Sequence, residues 1–240
     1  LSTDQKSVGE TTTLKELKQN NLSSESMRPE VNIALDQSMF AQSVGDIRVH
    51  LIGSHTPLPQ NLNGEVLAVI DDEVIDRWPV NPEGTIDQWV NVPNSRVSRS
   101  TNLQVRVHTV GDLGNCNDFL DMALRLDPST AIEAKSAHPP IPPGFRSLPQ
   151  ALMPRVQIGI GDDPFADTVR AAQIVVGLQH NSAMPLETTV TTLKQAIASG
   201  DPAILVSAKG WTDQTFALPF SADLGNCLLY TSDAADEEDS

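Results

Sequence analysis

The chain has 240 residues, 39% of which are hydrophobic, and its formal net charge is −15 at pH 7. This length and apolar content suffice for one or two folded domains, and no apolar run reaches the roughly 20 residues that a membrane-spanning helix needs. The acidic balance argues against nucleic acid or an anionic membrane surface as a main partner.

Both ends of the sequence are expected to be atypical. The first residue is Leu1 rather than Met, so we expect the natural N terminus to lie upstream. Residues 227–237 resemble the translation of a sequencing-library adapter, and 227–240 are therefore predicted to be an artefactual or disordered tail. Cys116 would then be the single natural cysteine, and one thiol cannot form an intrachain disulfide.

The first half of the chain has the pattern of a β-rich domain. Residues 1–29 are mostly polar and are predicted to be a flexible N-terminal segment. From Glu30 onward, short runs alternate apolar and polar residues, and Asp71, Asp72 and Glu73 separate two such runs as a hairpin turn would. Seven or eight strands without a long helix predict a jelly-roll-like β-sandwich over residues 30–136.

The stretch 86–110 carries the clearest alternation. In its first half, Asp87, Trp89 and Asn91 share the polar side of a strand, and the second half alternates similarly after a turn-rich segment. We therefore predict two neighbouring strands of one antiparallel sheet. An exposed indole flanked by Asp and Asn can stack on a sugar ring and hydrogen-bond its hydroxyls, which makes these three residues the carbohydrate-binding candidates. The indole can equally belong to a second packed layer, because aromatic side chains carry large buried area wherever they lie.

The pattern changes after the predicted sandwich. Residues 137–154 contain six prolines and are predicted to be a Pro-rich linker or a stiff wrap along a surface. Residues 155–226 follow with a strand, a helix and two further strands, the beginning of a truncated α/β domain with a parallel sheet. The sequence ends before such a domain would be complete.

The predicted helix has a clear start and an apolar stripe. Asp163 suits the N-cap position and Pro164 suits the first helical position. The residues expected to pack on the sheet are Phe165, Val169, Ala172, Val176 and Gln179, flanked by Ile174, Val175 and Leu178.

No sequence pattern for catalysis or cofactor binding is apparent. The segment around Asp162 and Asp163 lacks the glycine spacing of a dinucleotide site and the Lys of a P-loop, and two acids would repel a phosphate. The five histidines do not have metal-ligand spacing, and no nucleophile elbow is present. We therefore predict no catalytic residues, no metal and no cofactor, and we predict that the chain is not an enzyme.

Several segments resemble the periplasmic, non-catalytic subunit of bacterial cellulose synthase. The likeness is carried by WVNVP, NSRVSRS, TNLQVRV and GNC between Trp89 and Cys116, and continues through STAIEA, PPGFRSLPQALMP, RVQIGI, ADTVRAAQIVVGLQ and PAILVSA. It covers about Thr13 to Ala208. The resemblance implies a carbohydrate-binding-like sandwich over 30–136 and a partial flavodoxin-like domain over 155–226, but its motifs identify no sugar-contacting residue.

The resemblance also implies a function. Such a protein is non-catalytic, lies on the periplasmic side, supports the membrane glycosyltransferase and guides the emerging β-1,4-glucan. Its partners would be the catalytic cellulose synthase subunit and the glucan, with the inner membrane reached through a C-terminal anchor absent from this sequence. The family is associated with cyclic di-GMP regulation, but that nucleotide's site is attributed to the catalytic partner. The alternative is a free-standing glycan-binding β-sandwich module.

Overall fold

A computed structural model gives the fold and describes residues 11–58, 62–110, 121–210 and 230–232. The described residues divide into two compact units. The sandwich unit comprises residues 11–37 and 44–137, and the α/β unit comprises residues 38–43, 138–210 and 230–232. The fold is mostly β with a smaller helical part, in agreement with the coarse prediction.

Antiparallel strands build the sandwich unit. In chain order, its described strands are β1 (Thr12–Thr13), β2 (Ser23–Ser26), β3 (Glu30–Asp36), β4 (Val44–His55), β5 (Asn63–Ile70), β6 (Glu73–Pro79), β7 (Thr85–Asn91), β8 (Ser100–Val110), β9 (Met122–Leu126) and β10 (Ala131–Ser136). Eight of these strands begin at or after Glu30, which confirms the predicted number.

The strands of the sandwich unit form two sheets. One sheet has the order β1-β10-β4-β9-β2, with β7 also paired to β4, and the other has the order β3-β8-β5-β6. Each sheet buries one face, because side chains alternate along a strand. The buried side chains include Ile33 of β3, Leu51 of β4, Leu103 of β8 and Leu124 of β9, all with no exposed area. These inward faces supply the apolar core of the unit.

The hairpin predicted around the acidic turn is confirmed. Strands β5 and β6 pair directly, with Ile70 opposite Glu73. Asp71 and Asp72 connect them and have positive φ angles of 49° and 61°. This is the left-handed conformation that a two-residue hairpin turn of type I′ requires, and Asp tolerates it better than most residues.

The prediction that the two strands of 86–110 lie side by side is wrong. Strand β7 pairs with β4 in the six-stranded sheet, whereas β8 pairs with β3 and β5 in the other sheet. The connecting residues include Val92 and Val97, whose side chains are both buried. A connection with two buried valines passes between the sheets, whereas a hairpin needs a short polar turn.

A tight turn joins β9 to β10 and gives one acid-sensitive group. The backbone N–H of Ser129 donates to Asp127 Oδ1 at 2.8 Å. Hydrogen bonds from the hydroxyl and the backbone N–H of Ser129 hold the pKa of the Asp127 carboxyl below its ordinary value.

We expect Ser129→Ala to raise the pKa of Asp127 toward its ordinary value, because only the backbone donor remains. In the unchanged chain the carboxylate stabilises the fold at pH values above its unfolded-state pKa, and that contribution is lost as the pH falls through the lower folded-state pKa. An NMR titration of the Asp127 carboxyl carbon measures the change. An identical titration curve in both proteins would contradict the assigned role of the hydroxyl.

The α/β unit contains a mainly parallel sheet and two helices among its described residues. Its described elements are β11 (Arg155–Ile160), α1 (Pro164–Gln179), β12 (Glu187–Thr192), α2 (Leu193–Ser199), β13 (Ala203–Val206) and β14 (Tyr230–Ser232). The strand order is β12-β11-β13-β14, in which β11 is parallel to both neighbours and β14 is antiparallel to β13. Of the predicted tail 227–240, only Tyr230–Ser232 lies within the described residues.

The start of helix α1 is as predicted, but its packed face matches the prediction only in part. Asp163 is the N-cap and accepts a hydrogen bond from the Ala166 backbone N–H, with Pro164 in the first turn. The centre of the predicted stripe is exposed, since Phe165 is 82% and Val176 57% accessible. The helix packs with Ala171 and with Ile174, Val175 and Leu178, the three residues predicted to flank that stripe. Apolar residues surround this helix on most sides, so their spacing alone does not identify the packed face.

Helix α2 is absent from the sequence prediction, which gives residues 155–226 a strand, a single helix and two further strands. Strand β12 ends at Thr192, and the helix begins at the next residue. Thr192 and Gln195 form a reciprocal capping box in which each side chain bonds the other residue's backbone N–H. The helix ends at Gly200, whose φ of 68° suits the left-handed position after a helix.

The Pro-rich stretch contributes to packing as well as to connection. Leu148, Leu152 and Met153 are buried in the core of the α/β unit, together with Ile158 of β11. Two short 3₁₀ turns, Gly144–Ser147 and Gln150–Leu152, carry this part of the chain. Neither α1 nor α2 combines the length and apolar character that crossing a membrane would require; this statement covers the described residues alone.

Candidate functional site

The three predicted carbohydrate-binding residues lie on one face of a strand. Asp87, Trp89 and Asn91 all lie on the exposed face of β7, while Ile86 and Val90 point into the core. Trp89 keeps 38% of its surface exposed. Strand alternation therefore gave their shared face correctly. Whether they contact a sugar stays a prediction.

Strand β4 supplies the neighbours that sequence reasoning did not identify. In the antiparallel register, Arg48 lies opposite Asn91 and His50 lies opposite Trp89. These residues occupy the outer face of the six-stranded sheet because the intervening residues of β4 are buried. Only the pairing of β4 with β7 brings Arg48 and His50 to the indole.

Trp89 is covered by two of these neighbours. The His50 imidazole stacks on the indole with ring centroids 4.5 Å apart and planes within 7°. The Arg48 guanidinium carbon lies 4.5 Å from a ring centroid of Trp89, a cation–π distance. His50 Nε2 also lies 2.7 Å from Asp87 Oδ1. The cluster of Arg48, His50, Asp87 and Trp89 is called the indole cluster below.

A groove of about 650 Å³ opens beside the indole cluster. Arg48 belongs to both, and Asn91 is the one predicted site residue that lines the groove; Asp87 and Trp89 lie outside its lining. The lining residues come from β4, β7, β10 and the turn after β7: Asp46, Ile47, Arg48, Asn91, Val92, Pro93, Asn94, Glu133, Ala134 and Lys135.

A bulge and a polar clamp shape the groove. The register between β4 and β10 shifts between Glu133 and Lys135, and Asp46 opposite this shift has a φ of 46°. Bulges of this kind redirect side chains locally. The Asp46 backbone N–H donates to Asn94 Oδ1 at 2.8 Å, and Asn94 Nδ2 donates to Asp46 Oδ1 at 3.1 Å. The turn after β7 is thereby fixed against the start of β4.

The charges of the groove are paired with one another. Arg48 Nε donates to Glu133 Oε2 at 2.6 Å, and Arg48 Nη2 lies 2.5 Å from the same oxygen. Lys135 Nζ lies 3.6 Å from Asp46 Oδ2. The two acids and two bases cancel in formal charge. The lining therefore offers hydrogen-bond donors and acceptors without a strong net field, which suits an uncharged ligand rich in hydroxyl groups.

The acidic segment after β11 has a structural role. Asp163 caps α1, and Asp167 is fully buried. Asp167 Oδ1 accepts from the Ala208 backbone N–H at 2.5 Å, and its Oδ2 accepts from the Asp163 backbone N–H at 3.3 Å. The carboxylate thus joins the loops that follow β11 and β13.

We expect Asp167→Ala to lower the free energy of unfolding of the α/β unit by about 1–3 kcal/mol, because backbone donors that it satisfies lose their acceptor in a buried site. Urea unfolding measures the change, with the more accessible Asp162→Ala as the matched control. Equal midpoints for the two variants would contradict the buried tie between the loops.

The structure adds no site at the remaining residues that the sequence analysis considered for chemistry. Cys116 lies outside the described residues. Among the described residues, no group of three or more His, Cys, Asp or Glu side chains is arranged to hold a metal ion.

Comparison with known proteins does not identify a family for the chain. No family model matches it, and no curated protein matches it. Among solved structures, an acetyl xylan esterase from the rumen bacterium Butyrivibrio proteoclasticus matches with 14% sequence identity and a TM-score of 0.24. The match covers 76% of this chain and 49% of that chain, so this chain spans about half of the esterase.

This comparison corrects one prediction. The prediction that the chain is not an enzyme is not retained: one solved structure that matches 76% of the chain is an esterase. At a TM-score of 0.24, the likeness carries no argument about the fold or reaction of this chain.

Proposed function

We propose that the chain is part of the periplasmic subunit of a bacterial cellulose synthase complex and that its sandwich unit contacts the emerging β-1,4-glucan. The resemblance from Thr13 to Ala208 supports the family. The order of a two-sheet β unit followed by an α/β unit agrees with it. The sandwich would be of jelly-roll type. The parallel order β12-β11-β13 supports a flavodoxin-like second domain, whose first three strands have this order.

One observation carries the glucan-binding part of the proposal: an exposed indole lies beside a groove with internally paired charges. A glucose ring in β-1,4 linkage has apolar C–H faces and hydroxyl groups around its rim. The Trp89 ring suits the faces, and polar groups such as Asn91, Arg48 and Glu133 suit the hydroxyls. Because Asp87 accepts from His50, its contribution would be indirect.

The proposed partners are the catalytic cellulose synthase subunit and the glucan. The location would be the periplasmic face of the inner membrane, with an anchor in a part of the protein not contained in this sequence. Nucleic acid is not a proposed partner, because the net charge of −15 opposes polyanion binding.

The proposed place in a synthase complex is tested by co-purification. The full gene, recovered with its flanking sequence, would be expressed together with the neighbouring glycosyltransferase gene, and an affinity tag on one protein would be used to capture the other. We expect the two to co-purify from detergent-solubilised inner membranes. A complete gene without a C-terminal anchor and without an adjacent synthase gene would contradict the proposal.

A free-standing glycan-binding module is the second candidate. One observation favours it, because the indole cluster and the groove belong entirely to the sandwich unit. Glucan pull-down by the 240-residue chain without any synthase partner would be expected from either candidate. Binding to insoluble glucan together with a failure to co-purify would favour the free-standing module.

A further inference from the structure

One face of the Trp89 indole is occupied in this structure. The His50 imidazole lies parallel to the indole, with centroids 4.5 Å apart and an interplanar angle of 7°. A flat ring stacked in this way covers the area on which the C–H face of a pyranose would lie. A glycan can therefore stack on this face only if the imidazole leaves it.

We infer that His50 is a lid on the sugar-binding face of Trp89, closed in this structure and displaced when a glycan binds. The inference rests on the proposed glycan-binding function of the same surface. It assigns to His50 a regulatory role that the sequence did not indicate, since a histidine on a polar strand face is usually only solvated.

The contacts of His50 allow it to move. Its side chain is 27% exposed and hydrogen-bonds to Oδ1 of Asp87. The Asp87 side chain is itself 80% exposed. Rotation of the imidazole therefore gives up one hydrogen bond to an exposed carboxylate and one stacking contact. No buried polar group is left without a partner by this movement.

Arg48 is less suited to be the moving group. Its guanidinium also lies over Trp89, but Nε and Nη2 both contact Glu133 Oε2. Such a two-nitrogen contact holds the planar guanidinium in orientation. Arg48 would stay as a fixed wall of the site while His50 rotates.

The test compares His50→Ala with the unchanged 240-residue chain by calorimetric titration with soluble cello-oligosaccharides. We expect His50→Ala to bind about 3- to 10-fold more tightly, the range that corresponds to a stacked aromatic pair. His108→Ala is the matched control, because His108 is an exposed histidine near a carboxylate, Glu65, on the other sheet.

A second readout does not depend on glycan. In a background with Trp78→Phe and Trp211→Phe, Trp89 is the only indole, since the chain has three tryptophans. Quenching of its fluorescence by acrylamide should increase when His50→Ala is added, because the ring face becomes accessible. Unchanged quenching would overturn the lid.

The outcomes separate the lid from the function on which it rests. If the unchanged chain binds glycan and His50→Ala binds it with equal or lower affinity, only the lid role of His50 is overturned. Absence of binding by both proteins overturns the proposed glycan function and, with it, the gating role of His50.

Discussion

Replacing Trp89 with alanine is expected to weaken binding of cello-oligosaccharides by about 10-fold or more, equivalent to roughly 1.4 kcal/mol or more. The indole supplies the large apolar surface of the outer sheet face, and alanine cannot replace it. Calorimetric titration of the full chain measures the loss. Folding should change little, because Trp89 is 38% exposed and lies outside the core between the sheets.

The matched control for this variant is Phe145→Ala. Phe145 is another exposed aromatic residue, 59% accessible, and lies in the α/β unit. Phe145→Ala should leave the affinity for cello-oligosaccharides unchanged. If Trp89→Ala also binds normally while Asn91→Ala does not, the groove alone would be the binding site. If neither variant changes the affinity, the outer face of the six-stranded sheet is not the site.

We expect Leu51→Ala to lower the free energy of unfolding of the sandwich unit by about 2–5 kcal/mol. Leu51 has no exposed area and lies on the inner face of β4, directly below the strand segment that carries His50. Truncation removes buried methyl groups and leaves a cavity that the two sheets cannot fully close. Urea unfolding followed by circular dichroism measures the change.

The control for Leu51→Ala is its neighbour Ile52→Ala. Ile52 lies on the outer face of the same strand and is only half-buried. Ile52→Ala should lower the free energy of unfolding clearly less than Leu51→Ala does, because part of the Ile52 side chain is already in water. Equal losses for the two variants would contradict the assignment of the inner and outer faces of β4, and with it the location of the indole cluster.

Strand positions and faces were accessible from the sequence where one side of a strand is fully buried. Val31, Ile33 and Leu35 alternate with polar residues, and the structure buries all three in β3. The turn at Asp71 and Asp72 was also accessible, because few residue pairs adopt two successive left-handed conformations. Both patterns involve residues close together in the chain, so a single sequence is enough to recognise them.

Strand partners could not be obtained in the same way. The register that places His50 opposite Trp89 joins residues 39 positions apart, and nothing in either strand specifies the other. The expected pairing of β7 with β8 followed from their closeness in sequence, and the crossing between sheets at Val92 and Val97 overrode it. The indole cluster and the groove were therefore not visible beyond the shared face of Asp87, Trp89 and Asn91.

The orientation of helix α1 shows a different limit. Its apolar residues surround most of the helix, and the buried side is decided by the small Ala171 and the buried carboxylate of Asp167. Asp167 faces inward because backbone N–H groups of Asp163 and Ala208 bind it there. An apolar stripe cannot reveal a polar anchor of this kind.

The most direct test of glycan binding at the indole cluster and groove is an NMR titration of the isotope-labelled chain with cello-oligosaccharides. We expect the chemical-shift changes to cluster on the outer face of the six-stranded sheet, at Arg48, Trp89, Asn91 and Glu133. Absence of changes at millimolar ligand, or changes confined to the α/β unit, would contradict glycan binding at this surface.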